Sequence, residues 1–239
     1  HCQLPPTIKC VEAARGGLEE TLMERLAARK PEAVSLLRVQ YRMHEDIMRF
    51  PSSWFYNGLL EAAPDVRHRG ILDLDTPIDW IDTTGKDFKE QFVGESFGRI
   101  NRDEADLLLH ELEAYIGRIG GGRILEERID FGLISPYKAQ VQYLRACLRR
   151  NAALRPYRDL LTVNTVDGFQ GQERDVIFIS LVRANADGQI GFLGDLRRMN
   201  VAITRARMKL VILGEAETLA RHPFYRELLA YVHALHRGQ

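Results

Sequence analysis

The sequence lacks most of the features that mark secreted, membrane-spanning or disulfide-stabilised proteins. Its three cysteines, Cys2, Cys10 and Cys147, are too few and too scattered for a disulfide framework or a metal site. No apolar run approaches the ~20 residues of a transmembrane helix, and no charged-then-apolar leader follows His1. We therefore expect an intracellular protein with reduced thiols and no membrane partner.

Net charge is absent as well. Lys plus Arg number 33 and Asp plus Glu number 33, so the formal net charge is zero. This balance argues against wholesale electrostatic capture of nucleic acid, although it leaves room for a local basic groove. Hydrophobic residues at 45% and charged residues at 28% are typical of a globular protein with one large core or two modest ones.

Two glycine-rich phosphate-binding patterns are missing from the 239 residues. Without Gly-x-Gly-x-x-Gly, a dinucleotide enzyme such as a dehydrogenase is disfavoured. Without Gly-x-x-x-x-Gly-Lys-Ser/Thr, the chain has no phosphate loop of its own for a nucleoside triphosphate. The first residue is His1 rather than Met, so we expect the sequence to be a piece of a longer protein.

Short β-branched runs alternate with amphipathic stretches, which predicts an α/β protein with a mostly parallel sheet. Strands are predicted at 33–39 (buried), 78–81, 130–134, 160–163, 176–182 and 209–213. Helices are predicted at 18–28, 44–56, 101–119, 138–149, 196–206, 215–220 and 224–235. Pro51 should end or kink the second helix, and the glycines at 120–122 should stop the third. Residues 83–100 are predicted to form an exposed loop.

Residues 165–175 form the first of two dense motifs, Thr-Val-Asp-Gly-Phe-Gln-Gly-Gln-Glu-Arg-Asp. They connect two predicted strands, and Gly168 and Gly171 permit close backbone approach. Thr165 can donate to a phosphate, and Glu173 can accept from a ribose hydroxyl. A polar loop built only from turn residues is the alternative.

Residues 197–207 form the second motif, Arg-Arg-Met-Asn-Val-Ala-Ile-Thr-Arg-Ala-Arg. A helix through this segment would place Arg198 and Arg205 seven residues apart and hence on nearly the same face. Such an edge would suit an anionic ligand. A solvated basic face is the ordinary alternative.

Polar residues also follow earlier strands. Ligands bind outside the carboxyl ends of strands in α/β sheets, which places Tyr41 and Arg42, in Gln-Tyr-Arg-Met-His, where a purine and a phosphate could sit. Ser135 precedes a predicted helix whose N-terminus could attract phosphate. Gln3, in a proline-containing entry segment, could sense a terminal phosphate. Capping turns with a surface arginine are the alternative.

Together these segments resemble the C-terminal motor domain of superfamily 1 helicases. The resemblance is to the 1B branch, which contains the nonsense-mediated-decay RNA helicase, senataxin and the immunoglobulin-μ-binding helicase. It runs in order through 1–6, 40–44, 135–140, 165–182 and 197–207. It implies a RecA-like fold of the P-loop NTPase type, with a mostly parallel sheet and helices on both faces. Residues 1–32 would end the first motor domain and connect it to a second RecA-like domain at 33–239.

The resemblance also implies a role for each matching residue. Gln3 matches a phosphate-sensing glutamine, and Tyr41 matches an aromatic residue that packs on adenine. Arg42 and Arg205 match the two arginine fingers that reach the γ-phosphate. Glu173 matches an acidic residue near the ribose. The positions implied for the nucleic-acid groove are Ser135, Tyr137 and Thr165.

The implied partners are single-stranded DNA or RNA and the absent first RecA-like domain. The implied cofactors are ATP and Mg²⁺, with Mg²⁺ held mainly by that first domain and no metal ligand here. We therefore expect part of an ATP-dependent helicase that is inactive alone. The alternative is a non-catalytic nucleic-acid- or partner-binding module with the same fold. Such a module would have no reason to keep Tyr41, Arg42, Glu173 and Arg205 together.

Overall fold

The chain alternates strands and helices throughout the part that the computed structural model describes, residues 22–94 and 98–238. The strands are β1 (Val39–Gln40), β2 (Glu61–Ala62), β3 (Ile78–Asp82), β4 (Gln91–Val93), β5 (Gly98–Ile100), β6 (Phe131–Ser135), β7 (Leu161–Thr165), β8 (Arg174–Ser180) and β9 (Ala206–Gly214). The helices are α1 (Leu22–Arg29), α2 (Glu45–Tyr56), α3 (Pro64–Arg67), α4 (Arg102–Ile119), α5 (Gly121–Glu127), α6 (Lys138–Arg150), α7 (Leu196–Ile203), α8 (Ala216–Leu219) and α9 (Pro223–Arg237). Short 3₁₀ turns lie at Pro31–Ala33, Arg155–Leu160, Asp167–Phe169 and Gly191–Gly194.

A five-stranded parallel sheet, in the order β3-β9-β8-β6-β7, forms the centre of the fold. Successive side chains of a strand point to opposite faces. In β8, Ile177 and Ile179 pack with α2, α7 and α9, whereas Val176 and Phe178 pack with α4, α5 and α6. Helices thus cover both faces, so the predicted α/β class and mostly parallel sheet are confirmed. Among the described helices, none is long and apolar enough to cross a membrane.

The apolar run at 33–39 does not form the buried strand predicted from the sequence. Its strand is only the two-residue β1, which pairs with β2 apart from the main sheet. Leu37 is 87% exposed, and Val34, Leu36 and Val39 are exposed as well. Because this segment lies outside the main sheet and pairs only with the two-residue β2 within the described chain, apolar composition alone does not bury it.

One local prediction is confirmed, and two others need correction. Gly120 ends α4 as predicted, but Gly121 begins the next helix, α5. The segment predicted as a loop at 83–100 contains an antiparallel hairpin of β4 and β5. Helix α7 ends at Ile203, so Arg205 lies beyond it and does not share a helical face with Arg198.

Pro51 does not end α2, which continues to Tyr56. A proline inside a helix removes one backbone hydrogen bond. Aromatic packing offsets that loss here: the rings of Phe50 and Trp54 each lie 5.2 Å from the ring of Phe224 on α9. Tertiary packing therefore outweighs the local helix-breaking tendency.

Lys209 carries a charge inside the core, which its position in a predicted strand did not indicate. It is 2% exposed, and its Nζ lies 3.1 Å from Asp75 and 2.5 Å from Asp79. The ammonium also donates to the carbonyl oxygen of Thr76. Buried charges persist when they are paired and hydrogen-bonded, and this group ties β9 to the segment before β3.

Glu104 is a second buried charged group, on the first turn of α4. Its Oε1 accepts hydrogen bonds from the hydroxyl of Ser180 at 2.6 Å and from the backbone N–H of Val182 at 2.8 Å. Burial removes the carboxylate from water and raises the pKa of Glu104 to about 7. The folded chain therefore holds this proton more tightly than the unfolded chain, whose pKa is near 4.5.

We predict that Glu104→Gln changes how stability depends on pH. The advantage of the protonated carboxyl is fully present below about pH 4.5 and is lost as pH rises through about 7. Relative to the variant, the parent chain should lose up to about 3 kcal/mol of unfolding free energy between pH 4 and pH 8. Urea unfolding of both chains at several pH values measures this difference.

The matched control is Glu113→Gln, on the same helix, where the carboxylate accepts a hydrogen bond from Asn151. That variant should leave the pH profile parallel to the parent. A Glu104→Gln profile that also runs parallel to the parent would contradict the assignment.

Candidate functional site

The predicted site residues lie at two opposite edges of the sheet. Glu173 directly precedes β8, and Arg205 directly precedes β9, so both are at the amino ends of these strands. Ser135 and Thr165 are register partners at the carboxyl ends of β6 and β7. The predicted site residues therefore form two candidate sites rather than one.

The loop that carries Tyr41 and Arg42 is shaped by Gln40. Its side-chain oxygen accepts from the backbone N–H groups of Arg42 at 2.8 Å and Met43 at 2.7 Å, and its amide donates to the Met43 carbonyl oxygen. The next residue, His44, donates its N–H to the carbonyl oxygen of Arg207 in β9. The loop is thereby fixed against the amino end of the sheet.

This placement corrects one sequence expectation. Arg42 was predicted to lie at the carboxyl end of a strand of the main sheet, but β1 belongs to a separate pair. Arg42 instead contacts the amino-end edge, where its Nη1 donates to the carbonyl oxygen of Thr204 at 3.2 Å. The Tyr41 side chain beside it is 72% exposed, so one aromatic face is free to stack on a ligand.

Glu173 lies between two guanidinium groups. One carboxylate oxygen accepts from Nε of Arg42, and the other lies 3.0 Å from Nε of Arg207. Arg207 also pairs with Asp175 at 2.9 Å. Partial burial by itself raises the pKa of Glu173, but the two arginines outweigh it and lower that pKa below its usual value. Glu173 is therefore ionised and held in place.

Arg205 is buried at 7% exposure and makes no salt bridge within the described chain. Its three nitrogens donate to neutral oxygens: the carbonyls of Val201 and Gln172, both at 2.9 Å, and the hydroxyl of Thr204 at 3.0 Å. Burial, and after it the charge of Arg42, lower the pKa of Arg205 to about 10. The group still carries its charge at neutral pH.

Arg69 and Arg207 were not identified from the sequence. Arg69 donates from Nη2 to the carbonyl oxygen of Arg42, while its buried Nε has no hydrogen-bond partner within the described chain. Burial, and after it the nearby Arg207, lower the pKa of Arg69. Arg69 gains its role from tertiary neighbours, and no local pattern marks it. Arg207 ends the second dense motif, but its contacts with Glu173 and Asp175 were not predicted. We call the set Arg42, Arg69, Arg205 and Arg207 the cationic edge.

The three residues predicted for the carboxyl-end edge are uncharged, and two of them are buried. The Ser135 side chain is fully buried, and its hydroxyl oxygen accepts from the Tyr137 N–H at 3.4 Å. Tyr137 is 3% exposed, with its ring 5.8 Å from that of Phe192. Thr165 is half-buried, and its hydroxyl oxygen accepts from the Gly168 N–H. A nucleic-acid strand bound here would therefore contact backbone groups and Thr165 before it could reach the side chains of Ser135 or Tyr137.

The two dense motifs each connect one edge to the other. Residues 165–173 run from the carboxyl end of β7 to the amino end of β8. In this segment Gly168 lies where a Cβ would approach the Asn164 side chain to 2.4 Å, and Gly171 has a φ of 81°. Both positions thus require glycine.

The second motif crosses in the same direction through α7. Arg198, at its start, lies 3.4 Å from Asp195 and 3.6 Å from Asp167 of the first motif. Arg205, seven residues later, lies on the cationic edge. The two basic residues Arg198 and Arg205 therefore lie at opposite edges of the sheet.

Other predicted ligands can be placed only in part. Gln3 lies outside the described residues. Within them, no group of three or more His, Cys, Asp or Glu side chains is arranged to hold a metal ion. The buried, carboxylate-free guanidinium of Arg205 and the exposed ring of Tyr41 fit the phosphate and the base of a nucleotide, respectively.

Comparison with known proteins shows the family of this chain. A protein family described as an AAA domain matches residues 18–217. An ATP-dependent helicase of Methanocaldococcus jannaschii is 36% identical over 97% of this chain. The chain belongs to the superfamily 1 helicase domains.

Two further relatives place this domain in the branch indicated by the sequence. The DNA polymerase alpha-associated DNA helicase A of Saccharomyces cerevisiae is 38% identical over 92% of this chain and 34% of its own length. The regulator of nonsense transcripts 1 homolog of Arabidopsis thaliana is 37% identical over 97% of this chain and 18% of its own length. The chain also covers 34% of the length of the Methanocaldococcus jannaschii relative. It thus spans about a third or less of the length of each of these three relatives.

A solved structure gives a more distant match. The C-terminal domain of a possible DNA helicase from Lactobacillus plantarum superposes with a TM-score of 0.42 and 16% identity, covering 77% of this chain and 96% of that domain. At this distance the likeness adds nothing to the assignment.

We predict that Glu173→Gln destabilises the helicase domain by about 1 kcal/mol at low salt. The substitution leaves the cationic edge with less negative charge, so its guanidinium groups repel one another more strongly. Because salt screens partly exposed charges, the loss should shrink at high ionic strength. Urea unfolding at low and high NaCl concentration measures both effects.

Asp167→Asn is the control, since Asp167 is an exposed carboxylate that pairs with Arg198 at 3.6 Å. It should cost less and depend less on salt. Equal, salt-independent losses in the two variants would contradict the role given to Glu173.

Proposed function

We propose that this domain is the second motor domain of an ATP-dependent nucleic-acid helicase or translocase. Residues 33–239 would form the domain, and residues 1–32 would end the first RecA-like domain and connect the two. The cationic edge would face a nucleotide bound by the first domain. The observation that carries this proposal is Arg205, a buried guanidinium with no carboxylate partner in the described chain.

An arginine with no carboxylate in direct contact is costly to bury, and an approaching phosphate would offset that cost. Arg42 lies beside it, one-third exposed and paired with Glu173. In phosphoryl transfer, arginines that reach the transferred phosphate stabilise charge in the transition state. Arg42 and Arg205 are therefore the proposed fingers, Tyr41 the adenine contact and Glu173 the ribose contact.

Bound ATP and Mg²⁺ would supply the hydrolysable phosphate and its charge-neutralising ion, with Mg²⁺ held mainly by the first domain. Glu173 would have to release Arg42 for that arginine to reach a phosphate. Its freed oxygen could then accept from a ribose hydroxyl. Gln3 would sense the phosphate from the connector.

The carboxyl-end edge would hold a single strand of DNA or RNA through backbone groups at Ser135 and Tyr137 and through the side chain of Thr165. The helicase names of the relatives and the name of a rat relative, DNA-binding protein SMUBP-2, 36% identical over 97% of this chain, support a nucleic-acid substrate. The two motifs that span the sheet would transmit a movement of the cationic edge to the carboxyl-end edge, where the nucleic-acid strand would be bound. This is a hinge closure driven by differential contacts with the nucleotide.

In the intact protein, we predict that Arg42→Ala lowers the turnover of ATP by about 10³-fold or more while changing ATP affinity by less than about tenfold. Arg205→Lys should behave similarly, because an ammonium keeps the charge but lacks the planar fork. Steady-state hydrolysis and equilibrium binding of a fluorescent ATP analogue separate the two quantities.

Arg123→Ala is the control, because Arg123 pairs with Glu127 on α5 and donates to the Ile71 carbonyl oxygen, and it contacts no member of the cationic edge within the described chain. It should change neither quantity. Equal losses of turnover and affinity in Arg42→Ala would contradict the finger role.

The 239-residue chain expressed by itself should not hydrolyse ATP, because the arginines act only on a phosphate presented by another domain. A steady-state ATPase assay with and without single-stranded DNA or RNA tests this. Turnover that Arg42→Ala abolishes would show that the chain is sufficient. A non-catalytic binding module is favoured instead if the intact protein binds a strand without any ATPase activity.

A further inference from the structure

The chain leaves β8 through a strained turn. The N–H of Arg183 donates to the carbonyl oxygen of Leu181, two residues earlier, at 2.8 Å. Val182, between them, has a φ of 71° and is fully buried. This is the rare form of γ-turn, and a β-branched residue at positive φ is a genuine outlier. Such a conformation persists only when its surroundings hold it.

Both backbone polar groups of Val182 are held by side chains at the start of α4. Its N–H donates to Oε1 of Glu104 at 2.8 Å, and its carbonyl oxygen accepts from the amide of Asn101 at 3.4 Å. Asn101 also caps α4, where its oxygen accepts from the Glu104 N–H. The turn is thus fixed from one side by the first turn of a long helix.

Gln140 on α6 locks this arrangement. It accepts from the Asn101 N–H at 2.9 Å and donates to the Asn101 carbonyl oxygen at 2.8 Å and to the Ser180 hydroxyl at 2.9 Å. Asn101, Glu104, Gln140 and Ser180 are all fully buried. The second carboxylate oxygen of Glu104 has no partner within the described chain. An ionisable carboxyl group buried so deeply for two hydrogen bonds points to a demand for fixed geometry.

The turn sets the direction of the segment that follows. Arg183, 3% exposed, donates to Glu90 at 2.6 Å, and the Ala184 N–H donates to the same carboxylate at 3.1 Å. Further along this segment, Phe192 packs on Tyr137. The segment therefore crosses the carboxyl-end edge and packs against a residue proposed to line the strand groove.

We propose that Asn101, Glu104 and Gln140 form a positioning device for the nucleic-acid edge, which we call the Val182 clamp. By holding the strained turn, the clamp keeps residues 183–195 against Tyr137 and so maintains the surface that a strand meets. Glu104 acts through Val182 and does not touch the strand. This inference rests on the proposed function, because strand binding is its readout.

The test uses the intact protein with Glu104→Ala and Glu104→Gln. Alanine removes the acceptor for Val182, so affinity for a fluorescein-labelled oligo-dT or oligo-U strand of about 20 nucleotides should fall about tenfold. ATP affinity without a strand should stay unchanged, because the cationic edge lies at the opposite end of the sheet. Glutamine keeps an oxygen acceptor and should recover most of the affinity. Glu113→Ala on the same helix is the control and should bind like the parent.

Adding Val182→Gly to Glu104→Ala gives a stricter test. Glycine adopts positive φ without steric cost, so the turn no longer needs the clamp and strand affinity should return toward the parent value. If Glu104→Ala does not fold, Asn101→Ala replaces it, because this substitution also removes one hydrogen bond to Val182. Strand affinity should then fall by less, and Val182→Gly should again restore it.

Two outcomes would overturn the inference. Parent-like strand affinity in a folded Glu104→Ala variant would do so while leaving the proposed function intact. So would a loss that Val182→Gly does not reverse. A parent protein that binds no strand would instead overturn the proposed function, and this inference with it.

Discussion

The carboxylate of Glu173 accepts hydrogen bonds from Arg42 and Arg207, and the arrangement of the cationic edge depends on this pairing. These two arginines come from segments that are 131 and 34 residues away from Glu173 in the sequence. Arg205, beside them, makes no salt bridge in the described chain. The edge is therefore ordered by the carboxylates of Glu173 and Asp175 yet keeps a buried positive charge at Arg205, as the proposed phosphate contact would require.

In the proposed function, the two motifs that span the sheet would connect the contacts of one domain with two ligands. Thr165 and Glu173 belong to one continuous segment, and Arg198 and Arg205 belong to another, with the sheet core between their ends. Packed elements of this kind move as units. A change in the contacts of Arg205 or Glu173 would therefore reach the opposite edge through short, well-packed connections. The buried polar network around Val182 keeps that opposite edge fixed.

Long periodic elements could be predicted from the sequence, and contacts between distant segments could not. Helices α4 and α6 match their predicted limits within a residue or two, because their apolar spacing repeats over several turns. The prediction of a buried strand at 33–39 was wrong, because the burial of a strand depends on a neighbouring element that the local sequence does not specify. The resemblance singled out Arg42, Glu173 and Arg205; the structure places them at one end of the sheet, and their roles stay predictions. The resemblance missed the roles of Gln40 and Arg69, which arise from how one loop packs against the amino end of β9.

The most direct test of this account is a structure of the intact protein bound to ADP–aluminium fluoride and a single strand. We expect the guanidinium nitrogens of Arg42 and Arg205 within about 3 Å of the fluoride ligands, with Arg42 released from Glu173 and the strand lying along the carboxyl-end edge near Thr165. A bound nucleotide analogue with Arg42 still paired to Glu173 and Arg205 turned away from the fluorides would contradict the account.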